Sequence, residues 1–236
     1  MKTMRTNKVR YLQIVFTEPI MSWEIPYFRA AVIECTKRES DLFHNHIDDQ
    51  EYLYRYPLIQ YKIKDKCPSL ICLREATEDI HYLLRQKNFN FLIGQKQIDF
   101  HIEDVRLKYE LIQTWDSDFS YNILNYMSLN QENFQIYQKY ETVVEKYAFL
   151  EELLAKHLNI FAEAMDAHMP YPLYVKITRV LSEKYIEYKG VFHLTFNLNF
   201  KTNLSIPQNV GIGKGVSIGF GIVKRLNQNK LPHEND

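Results

Sequence analysis

Two α+β units of the β-α-β-β-α-β kind, side by side, are what this sequence predicts. Over residues 9–113 the pattern runs strand, helix, two strands, helix and extended chain. Beyond Thr142 it runs helix, strand, strand, glycine-rich loop, strand. Both halves fit the ferredoxin-like arrangement. Hydrophobic residues at 46% and charged residues at 25% supply an ordinary globular core for it. The division is expected at 1–125 for the first domain and 126–236 for the second.

Each element has its own warrant. Residues 9–16 form a strand whose end Pro19 marks. Residues 25–35 form a helix with Pro26 in its first turn, where the missing N–H costs little. A polar stretch, 36–49, carries His44 and His46. Residues 56–63 and 69–73 read as short strands separated by Asp65, Lys66 and Pro68. A helix follows over 77–84, where Thr77, Glu78 and Asp79 suit a first turn. Residues 98–113 are extended. The polar, aromatic stretch 115–140 closes the first half and connects it to the second.

The strongest helix covers 142–165. Val143, Tyr147, Leu150, Leu154, His157, Leu158, Phe161 and Met165 recur at helical spacing, and Pro170 and Pro172 stop it. His157 on this apolar stripe reads as a core histidine. Residues 175–181 and 190–200 alternate as strands. In the second, Val191, His193, Thr195, Asn197 and Asn199 share one face, with His193 on the polar side. Phe192, Leu194, Phe196, Leu198 and Phe200 share the other and are expected to point inward. The polar tail 226–236 is expected to fray.

Charge and cysteine content narrow the function classes. Acidic and basic residues balance at 29 each, which gives no overall basic excess for nucleic acid. Locally, Lys176, Arg179, Lys184, Lys189, Lys201, Lys214, Lys224, Arg225 and Lys230 face only Glu183 and Glu187 over 176–230. That stretch forms either a basic binding surface or a plain solvated face. Cys35, Cys67 and Cys72 form no CxxC pair and fit neither a disulfide framework nor a zinc site. No apolar run reaches signal-peptide or membrane-span length. A soluble cytoplasmic protein with no membrane partner is expected.

Five of the seven glycines fall at Gly211, Gly213, Gly215, Gly219 and Gly221. Clustered glycines let backbone approach a ligand, and their N–H groups can cradle phosphate. Equally, they permit a tightly packed turn and strand. Gln208 stands where a Walker loop needs its first glycine, and Gly215 stands where it needs Ser or Thr. No helix follows, as a dinucleotide fingerprint requires.

The run Gly-Ile-Gly-Lys-Gly-Val-Ser-Ile-Gly-Phe-Gly leading into a last strand resembles the loop of the CRISPR repeat-RNA endoribonucleases. The segment Leu42-Phe43-His44-Asn45-His46, followed by Tyr54-Arg55-Tyr56-Pro57-Leu58-Ile59-Gln60-Tyr61-Lys62, is similar to the histidine segment and strand of that family's subtype I-B-like branch. The resemblance implies two ferredoxin-like units, CRISPR repeat RNA as partner, metal-independent cleavage and no cofactor. Other effector-complex proteins and a second copy of the chain are further candidate partners.

In extended backbone His44 and His46 point the same way, with Cα atoms roughly 6.5–7 Å apart. That suits an acid and a base on opposite sides of one phosphate. A neutral imidazole takes the proton of the RNA 2′-hydroxyl, and an imidazolium donates to the 5′-oxygen. The products are a 2′,3′-cyclic phosphate and a 5′-hydroxyl. Two other readings stand beside this one. His44-Asn-His46-Ile-Asp48-Asp49 offers ligands for a metal-dependent phosphodiesterase, and two loop histidines can simply be solvated. A non-catalytic RNA-binding subunit of an effector complex fits the same fold. Phosphate grip is expected from Lys176, Arg179, Lys214, Lys224 and Arg225 beside Gly211, Gly213 and Gly215. Lys62, Tyr27, Tyr54, Tyr61 and His101 are weaker candidates.

Overall fold

The computed structural model describes residues 8–36, 41–43, 46–48, 51–52 and 56–226. It divides into two compact units. Unit 1 comprises Met1–Leu111, Glu163–Asp166 and Gly215–Gly219; unit 2 comprises Ile112–Ala162, Ala167–Lys214 and Phe220–Asp236. The expected division at residue 125 falls inside a strand of unit 2.

In unit 1, β1 (Lys8–Phe16) leads through a 3-10 turn (Ser22–Glu24) into α1 (Ile25–Cys35). A small hairpin, β2 (His46–Asp48) and β3 (Glu51–Tyr52), precedes β4 (Ile59–Lys64) and β5 (Cys67–Leu73). Two single-turn helices, α2 (Ala76–Asp79) and α3 (His81–Leu84), replace the longer helix expected over 77–84. Then come the hairpin β6 (Phe89–Ile93) and β7 (Lys96–Phe100) and the strand β8 (Ile102–Leu111). The main sheet has the antiparallel order β4-β5-β1-β8. This is the ferredoxin-like order with its first strand between the third and fourth. Phe16, Phe28, Phe91 and Phe100 meet edge-on or tilted at 5.3–6.4 Å in its core, and α1 supplies Phe28.

Unit 2 opens with β9 (Thr114–Tyr126), followed by α4 (Gln131–Lys139) and α5 (Val143–Ala164). The hairpin β10 (Val175–Tyr188) and β11 (Val191–Leu204) comes next, then a 3-10 turn (Val216–Ile218) and β12 (Ile222–Arg225). Its sheet order is β10-β11-β9-β12, all antiparallel. The order matches unit 1, with one change. Where such a unit places its second helix, between β11 and β12, this chain runs the glycine-rich loop.

The connector expected over 115–140 is therefore corrected: it holds β9, an inner strand, over 115–126 and α4 over 131–139. The faces of β11 follow expectation over Leu194, Phe196, Leu198 and Phe200, which are buried. Two positions depart from it. Phe192 is 67% exposed, since the tip of the β10–β11 hairpin, with Tyr185 and Val191, projects past the core. Thr195 is buried and donates Oγ1 to Lys184 O at 3.0 Å.

The outer side of β10 is occupied. Ile177 N donates to Glu151 Oε1 at 2.9 Å, and Val180 N donates to Tyr147 Oη at 3.0 Å, both acceptors on α5. No helix of the described residues is long and apolar enough to cross a membrane.

Candidate functional site

The sheet of unit 2 packs one face against its own hydrophobic layer. Tyr121, Ile123, Phe196, Leu198, Phe200 and Val223 are buried there, and Tyr121 stacks on Phe200 at 5.5 Å. Pleating sends their strand neighbours to the opposite face. The register places Arg179 opposite Asn199, Asn199 opposite Asn122, and Asn122 opposite Lys224. Directly opposed residues share a face, so Arg179–Asn199–Asn122–Lys224 is one polar row spanning all four strands. The neighbouring row is Lys176–Lys201–Ser120.

Hydrogen bonds preorganise this strip. Asn122 Nδ2 donates to Asn199 Oδ1 at 2.9 Å and to Leu198 O at 3.2 Å. Asn197 Nδ2 donates to Ser182 Oγ at 2.9 Å, and Asn197 Oδ1 accepts from Asn125 N at 2.7 Å. Arg179, Lys201 and Lys224 are exposed and pair with no carboxylate among the described residues. Lys176 is held by Glu151 at 3.1 Å. Arg225 lies opposite the buried Tyr121, hence on the core face, and its guanidinium sits 4.5 Å over the Phe119 ring. Thus Arg179, Lys224 and Lys176 come together, and Arg225 does not join them. Lys201, Asn122 and Asn199 complete the strip. The alternation of Asn197, Asn199 and Lys201 in β11 was the available signal.

The glycine-rich loop is shaped by packing. Gly213 has φ +99°, and a Cβ there would lie 2.8 Å from the Tyr126 ring. Lys214 N donates to Met127 O at 3.0 Å. Gly221 has φ +63°, and a Cβ would clash with Ile212 O. Ile212 N donates to Gly221 O at 2.9 Å, and Gly221 N to Asn125 O at 3.1 Å. Backbone on both sides leaves nothing to yield. Gly221→Ala is expected to lower stability by about 2–4 kcal/mol, read as a shift in urea midpoint at unchanged slope. A midpoint equal to wild type would refute this packing.

Tyr126 lies beneath the loop with its hydroxyl 2.7 Å from His157 Nδ1. Burial, then the positive charges of Lys214 and Lys156, hold the His157 imidazole down at about 4. At neutral pH it is uncharged and shares one hydrogen bond with the phenol, as a core histidine should. Lys214, half-buried, has its ammonium lowered by burial and pairs with no carboxylate among the described residues. An anion at the loop surface would compensate that charge.

Lys62, a weak candidate for phosphate contact, is buried in unit 1 instead. Its Nζ donates to Val216 O at 2.9 Å, and burial pushes it down to about 7. Tyr61 is likewise fully buried, while Tyr27 is exposed. His44 and Tyr54 lie outside the described residues. His46 opens β2, opposite Tyr52. Among the described residues no three His, Cys, Asp or Glu side chains are grouped to hold a metal ion; the 44–49 run lies largely outside them.

Comparison with known proteins adds the following. Residues 7–111 match the Cas6b N-terminal domain family and residues 113–226 the Cas6b C-terminal domain family. A crystal structure of Cas6b superposes with a TM-score of 0.82 at 24% identity, covering 93% of this chain and 100% of that one. A second structure, described as the CRISPR RNA processing endoribonuclease Cas6b, gives 0.69 at 23% identity with the same coverage. Csf5, a type IV Cas6 crRNA endonuclease, gives 0.54 at 10% identity, again covering 93% and 100%. At these identities the likeness carries the fold. No curated protein matches the sequence.

Proposed function

Since the chain belongs to the Cas6b family, matched in order by both domains over 7–111 and 113–226, we propose that it is an endoribonuclease that cuts CRISPR precursor RNA within the repeat. The observation that carries the RNA half of this reading is the strip Arg179–Asn199–Asn122–Lys224 with Lys201. Free cations at its ends suit phosphates, and amides between them suit sugar and base edges. Lys214, on its glycine-bounded turn, adds a further cation.

The chemistry requires no metal. One imidazole of the His44–His46 pair accepts the 2′-hydroxyl proton as O2′ attacks phosphorus. The bond to O5′ breaks, and the other histidine, as imidazolium, protonates the leaving oxygen. A cation or N–H group near the phosphorane oxygens lowers the barrier further. The products are a 2′,3′-cyclic phosphate and a 5′-hydroxyl.

The test is cleavage of the labelled repeat RNA encoded beside this gene, in excess EDTA, with a parallel substrate carrying 2′-deoxy at the cut site. One cut that survives EDTA and is absent from the deoxy substrate is the expected result. A cut abolished by EDTA would assign the His-x-His-x-Asp-Asp run to a metal. Tight, salt-sensitive binding without any cut would make the chain an RNA-binding subunit.

A further inference from the structure

Each sheet has a long outer strand, and the two are treated differently. Side chains of α5 bond the outer side of β10. β8 closes the sheet of unit 1, and no described strand pairs with its outer side. From Val105 to Tyr109 five consecutive residues of β8 are exposed. Val105, Leu107 and Tyr109 are 50%, 55% and 62% exposed, and they alternate, so they share one face. It is the face of the buried Leu12 and Ile14 on β1, which lie opposite Leu107 and Val105. The single-turn helices α2 and α3 leave this end of it uncovered.

The same three residues present the unused peptide groups. Leu73 N donates to Leu58 O, and Arg74 N donates to Arg10 O. Leu73 therefore turns its peptide groups away from β1, and Arg10, Leu12 and Ile14 turn theirs toward β5. Opposite them on β8 stand Tyr109, Leu107 and Val105, whose N–H and C=O groups point outward from the sheet. Nothing among the described residues bonds these groups. A proline, a bulge or a charge on the apolar face usually protects such an edge. Over 104–111 there is no proline, and the apolar face carries no charge. The one register shift against β1 lies earlier, at Val15/Phe16.

The residues on the other face of β8 say which strand fits. Asp104, Arg106, Lys108 and Glu110 run minus, plus, plus, minus. A second, antiparallel β8 centred on Leu107 would oppose Asp104 to Glu110 and Arg106 to Lys108, like charges throughout. A centre on Arg106 opposes two guanidiniums and relies on Asp104, already held by Arg106 at 2.7 Å and Lys64 at 3.8 Å. It also runs the ladder through the register shift beyond Asp104. A centre on Lys108 avoids both faults. It sets Arg106 against Glu110, Leu107 against Tyr109 and Val105 against Leu111, each pair occurring twice by symmetry. Only Lys108 meets its own copy, and it is exposed and lies 5.8 Å over the Tyr11 ring of its own chain. We propose that β8 pairs with β8 of a second copy of this chain, antiparallel about Lys108, joining the two sheets of unit 1 into one. Seven residues on each side bury less than the roughly 800 Å² per partner of a standard interface, so the dimer is weak and reversible.

The test uses the full chain free of RNA. Sedimentation velocity between about 1 and about 100 µM should show monomer passing into dimer. Arg106→Glu alone and Glu110→Arg alone each place like charges at both ends of the joint. Each should weaken self-association by about tenfold or more. An equimolar mixture of these two variants restores both opposite-charge pairs. It should dimerise as wild type does, although neither variant does so by itself, and that recovery also shows that both are folded. Leu107→Glu should abolish the dimer at an unchanged urea midpoint. Hydrogen exchange supplies a second readout. Concentrated wild type should protect the amides of Val105, Leu107 and Tyr109 relative to dilute protein, while those of Arg106 and Lys108, which face β1, stay the same. A wild type that remains monomeric at about 100 µM would overturn the proposal. So would a dimer unaffected by either charge variant, which places the joint elsewhere. A mixture no more associated than its two components would reject the register and the proposal with it.

Discussion

Replacing both His44 and His46 by alanine is expected to slow single-turnover cleavage of repeat RNA by about 10³- to 10⁴-fold, while the RNA dissociation constant moves less than about twofold. The asymmetry follows from the proposed roles. Neither imidazole grips the RNA; each moves one proton at the reacting phosphate. Losses from two groups that act together do not multiply, so each single variant should already account for most of the fall. The two variants differ in pH dependence. A wild-type rate profile limited by one base and one acid is bell-shaped. Each single variant should lose one limb, and which limb it loses assigns the base and the acid. Cleavage within about tenfold of wild type in the double variant would remove the histidines from the chemistry.

The other large effect concerns Lys62, a residue 2% exposed whose ammonium donates to Val216 O. Burial lowers it from 10.5 to about 7. The unfolded chain therefore holds one more proton than the folded chain between pH 7 and 10.5. Stability rises with pH across that window, by up to about 1.4 kcal/mol per pH unit. Below pH 7 the lysine is charged in both states and the cost of burying it is constant. As pH climbs, the amine becomes neutral and still donates to the carbonyl. Lys62→Met keeps the stem and cannot titrate. From pH 7 to 9, wild type should gain about 2–3 kcal/mol relative to Lys62→Met, measured from urea midpoints at both pH values. Parallel pH dependences would show that solvent reaches this ammonium. The comparison between the two proteins matters because Tyr11, Tyr56 and Cys72, all raised by burial, push stability the other way at alkaline pH.

Elements with strong periodicity were legible. The helix at 25–35 and the long helix after Thr142 showed in their apolar spacing, as did the strand beginning at Val191. β9 was hidden because an inner strand usually reads as apolar. Here Asp116, Asp118, Asn122 and Asn125 interrupt the pattern, because residues 116–118 are exposed and Asn122 lies on the open face. The β6–β7 hairpin escaped notice although Phe89, Phe91 and Ile93 alternate into Gly94, whose φ of +63° makes its turn. The cationic strip was half legible. Its lysines and arginine stand out in the sequence, but their grouping depends on register. Bulges in β10, between Ile177 and Arg179 and again between Val180 and Ser182, shift which residues share a face. Lys62 misled for a related reason. Residues 59–62 of β4 are all buried, so both faces of the strand are covered there and a candidate phosphate contact became a buried donor to Val216 O.

The helix that borders β10 has a consequence for handling the protein. A 14-residue outer strand is a ready template for joining another chain edge to edge. Glu151 and Tyr147 occupy two of its outward N–H groups, and α5 lies along it. Fraying of the first turns of α5, where Val143 and Val144 are exposed, would uncover part of the template. Precipitation on heating is then expected to begin when the Tyr147 and Glu151 contacts are lost, which places the aggregation risk of a concentrated sample at the start of α5.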